Sequence, residues 1–352
     1  MSTSENRTDA IVIGAGHNGL SCAGYLARGG LKVTVLERRD VIGGAALTEE
    51  FHPGFRNSVF SYLVSLLDQQ VIRDLDLFQH GLELLQRPGG SLSILPGDHL
   101  YLPRDPASAQ QALAYPEFED LLESLGDAIR VIATQVPPNF GGGLSDLWKV
   151  LGQANVLRKL PADRQADLAE LMTMSIGDFL DRWFESDPIK GLYGFEGIIG
   201  NFVDPYAQGS AYVLLHHIFG QVDGRTGAWA YAKGGMGAIT QAMARYCRSQ
   251  GVDIRTNAAV SEVILDKGVA KGVVLEDGTA LHAPVVAANC HPQILFGQLI
   301  DPALTPDRFA KRVAGWRSES ATFRMNVALD ELPMPACRAG PRPPSYQCAF
   351  RP

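Results

Sequence analysis

Apolar residues follow two periodicities along this chain, and each change of period marks an element boundary. Ala10-Ile11-Val12-Ile13 is a short unbroken apolar run, the pattern of a strand buried on both faces. A glycine-rich turn follows, then a helical run to about Arg28, then a second strand over Lys32-Val33-Thr34-Val35-Leu36. Asp9 to Glu37 therefore reads as a βαβ unit. Mixed apolar runs between Asn57 and Phe78 predict helix, and Ser91 to Leu95 with His99 to Leu102 predict a hairpin around Pro96-Gly97-Asp98. From Pro106 to about His217 the pattern is mostly helical, with breaks at Pro116, Pro137-Pro138 and Pro161. A further helix runs from Gly237 to about Ser249. Short strands follow from Val252 to Val286, turning at Glu276-Asp277-Gly278-Thr279, and a strand over Pro284 to Ala288 leads into the break Asn289-Cys290-His291-Pro292.

This order predicts a chain that leaves its first βαβ unit and later returns to it. The expected organisation is a discontinuous α/β domain over residues 1–90 and 230–335, a mainly helical insertion over 91–229, and an irregular tail over 336–352, where neither period persists. Within the insertion, Gly191 to Phe219 is rich in Gly, Tyr, Phe and Ile. That composition suits either the wall of an apolar cavity or close helix packing.

Charge and composition exclude several classes. A formal net charge of -7, with no basic run longer than Arg38-Arg39, argues against a sequence-independent nucleic-acid binder. The five cysteines, Cys22, Cys247, Cys290, Cys337 and Cys348, are scattered, which suits a reducing compartment and supports neither a dithiol centre nor a metal site. No stretch approaches the ~18 consecutive apolar residues of a membrane span, and the polar start lacks a signal-peptide core, so a cytoplasmic protein is expected.

The chemistry lies in Gly14-Ala15-Gly16-His17-Asn18-Gly19. Its first glycine permits the tight turn, the second lets backbone approach a pyrophosphate, and the third lets helix pack on strand. The helix N-terminus adds unpaired N–H groups and a positive dipole end. Glu37 closes the second strand, where a carboxylate can accept both ribose hydroxyls, and it disfavours a 2′-phosphate. The unit alone leaves NAD and FAD open. Beyond the acid, Gly43-Gly44-Ala45 makes a second turn that can lie against an extended ligand.

The run Gly14 to Leu20, with Val35-Leu36-Glu37-Arg38-Arg39 and Gly43-Gly44-Ala45, closely resembles the phytoene-desaturase-related FAD-dependent oxidoreductases. The His17-Asn18 pair looks most like the subgroup called pyridine nucleotide-disulfide oxidoreductase domain-containing protein 2. Lys233-Gly234-Gly235-Met236-Gly237 and Phe323 to Leu329 resemble the family as well. The resemblance implies a Rossmann-like FAD-binding domain of the glutathione-reductase type with an inserted, largely helical substrate domain. It implies that Gly14, Gly16 and Gly19 hold the FAD pyrophosphate with Ala15, His17 and Asn18 beside them. Glu37 would take the ribose next to Arg38, Gly43-Gly44-Ala45 the stretch towards the flavin, and Val260 the adenine.

The activity so implied is hydride transfer between flavin and a largely apolar small-molecule substrate. Oxygen or a quinone is the expected electron acceptor, because no second strand-linked G-x-G-x-x-G is present. An apolar substrate leaves peripheral contact with a membrane open. The family normally continues past this length with a glycine-rich strand-turn-helix at the flavin, so a shortened chain is expected to hold FAD less firmly. The alternative is a non-catalytic lipid- or protein-binding member, like Rab GDP-dissociation inhibitors, against which Glu37 counts. No catalytic acid or base is assigned. His216-His217 and Tyr231 could reach a cavity, although core packing is the commoner fate of such residues.

Overall fold

The computed structural model describes residues 8–87, 91–95, 98–102, 114–139, 141–320 and 322–331. The predicted irregular tail and the Pro96-Gly97 turn lie outside the described residues. The chain opens with β1 (Ala10–Ile13), α1 (His17–Arg28) and β2 (Val33–Leu36), the βαβ unit read from its periodicity. β3 (Thr48–His52) and β4 (Phe55–Ser58) form a hairpin, followed by α2 (Gln69–Asp74) and β5 (Leu84–Gln86). Most of the helix expected between Asn57 and Phe78 is absent. The amides of Val59, Ser61 and Val64 donate instead to the carbonyls of Leu47, Ala45 and Ala230. Tertiary pairing overrides local propensity there.

β6 (Ser91–Leu95) and β7 (Asp98–Leu102) pair antiparallel, as expected of the hairpin. The helical stretch comprises α3 (Tyr115–Ala133), α4 (Leu144–Arg158), α5 (Ala162–Thr173), α6 (Ile176–Trp183), α7 (Asp187–Ile198) and α8 (Ala211–Ile218). The chain continues through β8 (Gln221–Val222), β9 (Arg225–Thr226), β10 (Ala230–Ala232), α9 (Gly237–Ser249) and β11 (Asp253–Arg255). The last described elements are the meander β12 (Val260–Asp266), β13 (Val269–Leu275) and β14 (Ala280–His282), then β15 (Val285–Ala288), α10 (Pro292–Ile294) and α11 (Asp307–Ala314). The predicted turn closes β13 on β14, where the Asp277 carboxylate accepts from the Thr279 amide at 2.9 Å.

A strand as dry as β1 needs hydrogen-bonding partners on both edges. It finds them in a parallel sheet ordered β11-β2-β1-β15, in which Ile11 stands opposite Thr34 on one side and Val286 on the other. Successive side chains of β1 point to opposite faces. Ala10 and Val12 join Leu20 and Ala23 of α1 and Ile239 and Met243 of α9 in one apolar cluster. Ile11 and Ile13 join Val263, Val273 and Leu275 of the meander in another. The parallel sheet is therefore sandwiched between two helices and an antiparallel sheet.

A third cluster lies among α3 and α5 to α8, around the fully buried Phe118 and Phe179. Phe118 meets Trp183, Phe184 and Tyr193 edge-on, with ring centroids 4.9 to 5.3 Å apart. The aromatic stretch Gly191 to Phe219 is divided between core and surface. Tyr193, Leu214 and Leu215 are buried, whereas Phe195, Phe202 and Tyr206 are exposed.

Candidate cofactor site

The site begins where β1 hands over to α1. Gly14 takes a φ of +97°, and its amide donates to the Leu36 carbonyl at 2.8 Å, which holds the turn at the strand ends. A Cβ at Gly19 would stand 2.1 Å from the Gly14 carbonyl oxygen, so only glycine lets the helix cross the turn this closely. Gly16 sits at the N-cap of α1 with no side-chain cap, and the first turn carries no acidic residue. The positive end of the helix is left to an external anion. His17 is half-buried there, and burial lowers its pKa. Asn18 is exposed.

Glu37 follows β2 directly and is only 8% exposed. One carboxylate oxygen accepts from the Ala15 amide at 2.9 Å and the other from the Arg39 amide at 3.0 Å. Each oxygen has lone-pair capacity left, which suits a diol. The second glycine turn lies directly on the first: Gly43 bridges to Gly16, and its amide donates to the Ala15 carbonyl at 3.0 Å. A Cβ on Gly44 would come within 3.1 Å of the Gly16 Cα. Ala45 is exposed beside it. The Ala258 amide donates to the Glu37 carbonyl and Asn257 to that of Arg39, so the link leading to Val260 runs past the end of β2. Arg38 is exposed, while Arg39 pairs with Glu49. Two stretches thus meet at one helix end, and a third joins the second of them at the end of β2.

The family model for flavin-containing amine oxidoreductases matches residues 19–322 of this chain. The chain belongs to that family. Over 96% of its length it is 38% identical to pyridine nucleotide-disulfide oxidoreductase domain-containing protein 2 of Rattus norvegicus, of which it covers 62%. It is 28% identical to the phytoene desaturase of Cercospora nicotianae, covering 94% of this chain and 52% of that one. The cyclohexylamine oxidase of Brevibacterium oxydans shares the fold at a TM-score of 0.53 and 22% identity, over 87% of this chain and 63% of that structure. The chain spans less than two thirds of these relatives' lengths. The expected resemblance and the Rossmann-like fold class are both borne out.

The cofactor of this flavin-containing family is FAD, and the residues present fit it. An uncapped helix end, a buried carboxylate with free lone pairs and two glycine turns in contact are what a diphosphate joined to a ribose requires. One neighbour of the glycine turn escaped the sequence reading. Asn289, at the end of β15, donates its amide to the Ile13 carbonyl at 2.8 Å, and its side-chain nitrogen lies 3.1 Å from where a Cβ on Gly16 or Gly19 would be. Thr48 and Ser58 of the β3–β4 hairpin accept from the Gly237 and Met236 amides at 2.9 and 3.0 Å, capping α9 from outside. The break at Asn289 was visible, but its position beside β1 depends on strand order.

The other titratable candidates sit elsewhere. His217 stacks on Trp229 and shares its Nδ1 with the Val213 carbonyl at 2.8 Å. Burial, with its neighbour His217, lowers the pKa of His216, and the two rings meet edge-on at the end of α8. Tyr231 lies in β10 opposite Leu85. Burial raises the pKa of the Cys22 and Cys290 thiols and pushes Cys247 up to about 12. All three remain protonated at neutral pH, which does not favour thiolate chemistry.

Proposed function

We propose that this chain forms the FAD-holding part of an oxidoreductase that moves hydride between the flavin and a largely apolar substrate. The observation that carries the reading is the uncapped α1 terminus with Glu37 bonded to the turn before it and the Gly43-Gly44 turn laid against it. When bound, FAD supplies the two-electron acceptor or donor that no side chain provides. Gly16 would present its backbone to the pyrophosphate with Gly14 and Ala15 fixing the turn behind it, and the first-turn amides of His17 and Asn18 would face it, with Gly19 keeping the helix close. Glu37 would accept from the ribose hydroxyls next to Arg38. Gly43, Gly44 and Ala45 would lie along the chain leading to the flavin, and Val260 would meet the adenine through its backbone.

The apolar substrate is supported by the 28% identity to a phytoene desaturase. Oxygen or a quinone remains the proposed acceptor, since Gly234-Gly235-Met236-Gly237 packs α9 onto the β3–β4 hairpin and follows β10 without a phosphate-binding spacing.

The test is reconstitution. After incubation with excess FAD and gel filtration, flavin absorbance is expected to travel with the wild-type chain and to be lost in Gly19→Ala, whose new methyl collides with the Gly14 carbonyl. A folded wild-type chain that retains no flavin would overturn the reading.

A further inference from the structure

Helix α4 turns an apolar stripe to solvent, while the half-buried Leu157 of its last turn packs on the helical core. None of its residues is buried, and it packs mainly on α3. Leu144, Leu147, Trp148 and Leu151 fall within an arc of ~100° at helical spacing, the width of a core-facing stripe. That stripe faces solvent: Leu144 is 77% exposed, Trp148 72%, Leu147 52% and Leu151 49%. Val136, just before the helix, is 72% exposed as well. Exposed large apolar residues gathered on one face mark an interaction surface.

Charge selects the partner. The whole chain is acidic at -7, yet between Val136 and Leu160 three cations, Lys149, Arg158 and Lys159, stand against the single carboxylate of Asp146. Asp146 is itself neutralised by Lys149 at 2.9 Å. Arg158 lies on the same helical face as the apolar stripe and bonds only the neutral Asn155, at 3.1 Å. Among the described residues neither Arg158 nor Lys159 pairs with a carboxylate. Three leucines and an exposed tryptophan bordered by unpaired cations match the boundary between acyl chains and anionic headgroups, where tryptophan settles and basic residues meet phosphate. No helix among the described residues is long and apolar enough to cross a bilayer, so the contact is with its surface.

We propose that the exposed face of α4 docks the protein on an anionic lipid bilayer, with Leu144, Leu147, Trp148 and Leu151 inserted at the interface and Arg158 and Lys159 against the headgroups. The proposal is independent of FAD binding and of the substrate.

Flotation of the full chain with phosphatidylcholine vesicles, with and without phosphatidylglycerol, tests it. Binding is expected with the anionic vesicles and to weaken as salt rises. The Leu147→Ser/Trp148→Ser variant should bind about tenfold less or weaker still, with little change in melting temperature because both side chains are more than half exposed. Arg158→Gln/Lys159→Gln should lose about tenfold on anionic vesicles. Bromine-labelled lipid should quench the tryptophan emission of the wild-type chain more strongly than that of Trp148→Ser. Equal vesicle binding by the Leu147→Ser/Trp148→Ser variant would overturn the proposal. So would no binding by the wild type, or a wild-type dimer in sedimentation that Trp148→Ser dissolves without any vesicle binding, which would assign the face to a second copy.

Discussion

Glu37 shows how much one residue's surroundings add to its type. Its carboxylate is anchored by two backbone amides before any ligand arrives, so its remaining lone pairs are already aimed. Glu37→Gln keeps the shape, removes the charge and replaces one accepting oxygen by an NH2 group that cannot accept from its backbone amide. FAD affinity is expected to fall about tenfold, for a loss of ~1.4 kcal/mol, in a fluorescence titration with the circular dichroism unchanged. A second residue-scale effect lies between α3 and α7. The Tyr193 hydroxyl donates to Glu119, burial raises the pKa of Glu119 against that bond, and burial with the charge of Glu119 pushes Glu196 up to about 7, opposed by Arg87. Tyr115 and Glu123 also face this group. A carboxyl whose folded pKa is raised binds more protons folded than unfolded, so its stabilisation is complete below the unfolded value near 4.5 and is lost as pH rises through about 7. Urea denaturation of Glu196→Gln should show a flatter fall in stability across that window than the wild type.

Elements were legible wherever one segment carried its own signal. The βαβ unit, the turn at Glu276 to Thr279 and the start and end of α9 all follow from local period and turn chemistry. The segment after Asn57 was misleading because its amides are claimed by Leu47, Ala45 and Ala230, residues on other elements. The same long-range economy caps α9. Its own N-cap is Met236, which offers no oxygen, and the hydroxyls of Thr48 and Ser58 replace one. Thr48→Val removes the acceptor and leaves the Gly237 amide without it, at a cost of about 1–2 kcal/mol by chemical denaturation. Because Thr48 stands only four residues after Gly44, that variant is also expected to weaken FAD binding, by a smaller factor than Glu37→Gln.

At the scale of the molecule, three apolar clusters divide the work. Two clasp the parallel sheet from opposite faces, and the third surrounds Phe118 among the helices. Phe118→Ala should cost ~3–5 kcal/mol of stability, since that ring is fully buried, while leaving FAD affinity within about twofold of wild type. Leu20→Ala, in the cluster behind the glycine turn, should cost ~2–5 kcal/mol and lower FAD affinity as well. Thermal unfolding followed by flavin fluorescence separates the two outcomes. The sequence by itself determined the glycine turn, the acid at the end of the next strand and the second glycine pair, because each is a steric or electrostatic demand met within a few residues. Only the tertiary structure decided that Gly44 lies on Gly16, that Asn289 reaches Gly16 and Gly19, that hydroxyls of a hairpin cap α9, and that Leu144, Leu147 and Leu151 of α4 face outward. Those outcomes depend on strand order and on which surfaces find partners, and a chain's local pattern states which faces are apolar without stating what will cover them.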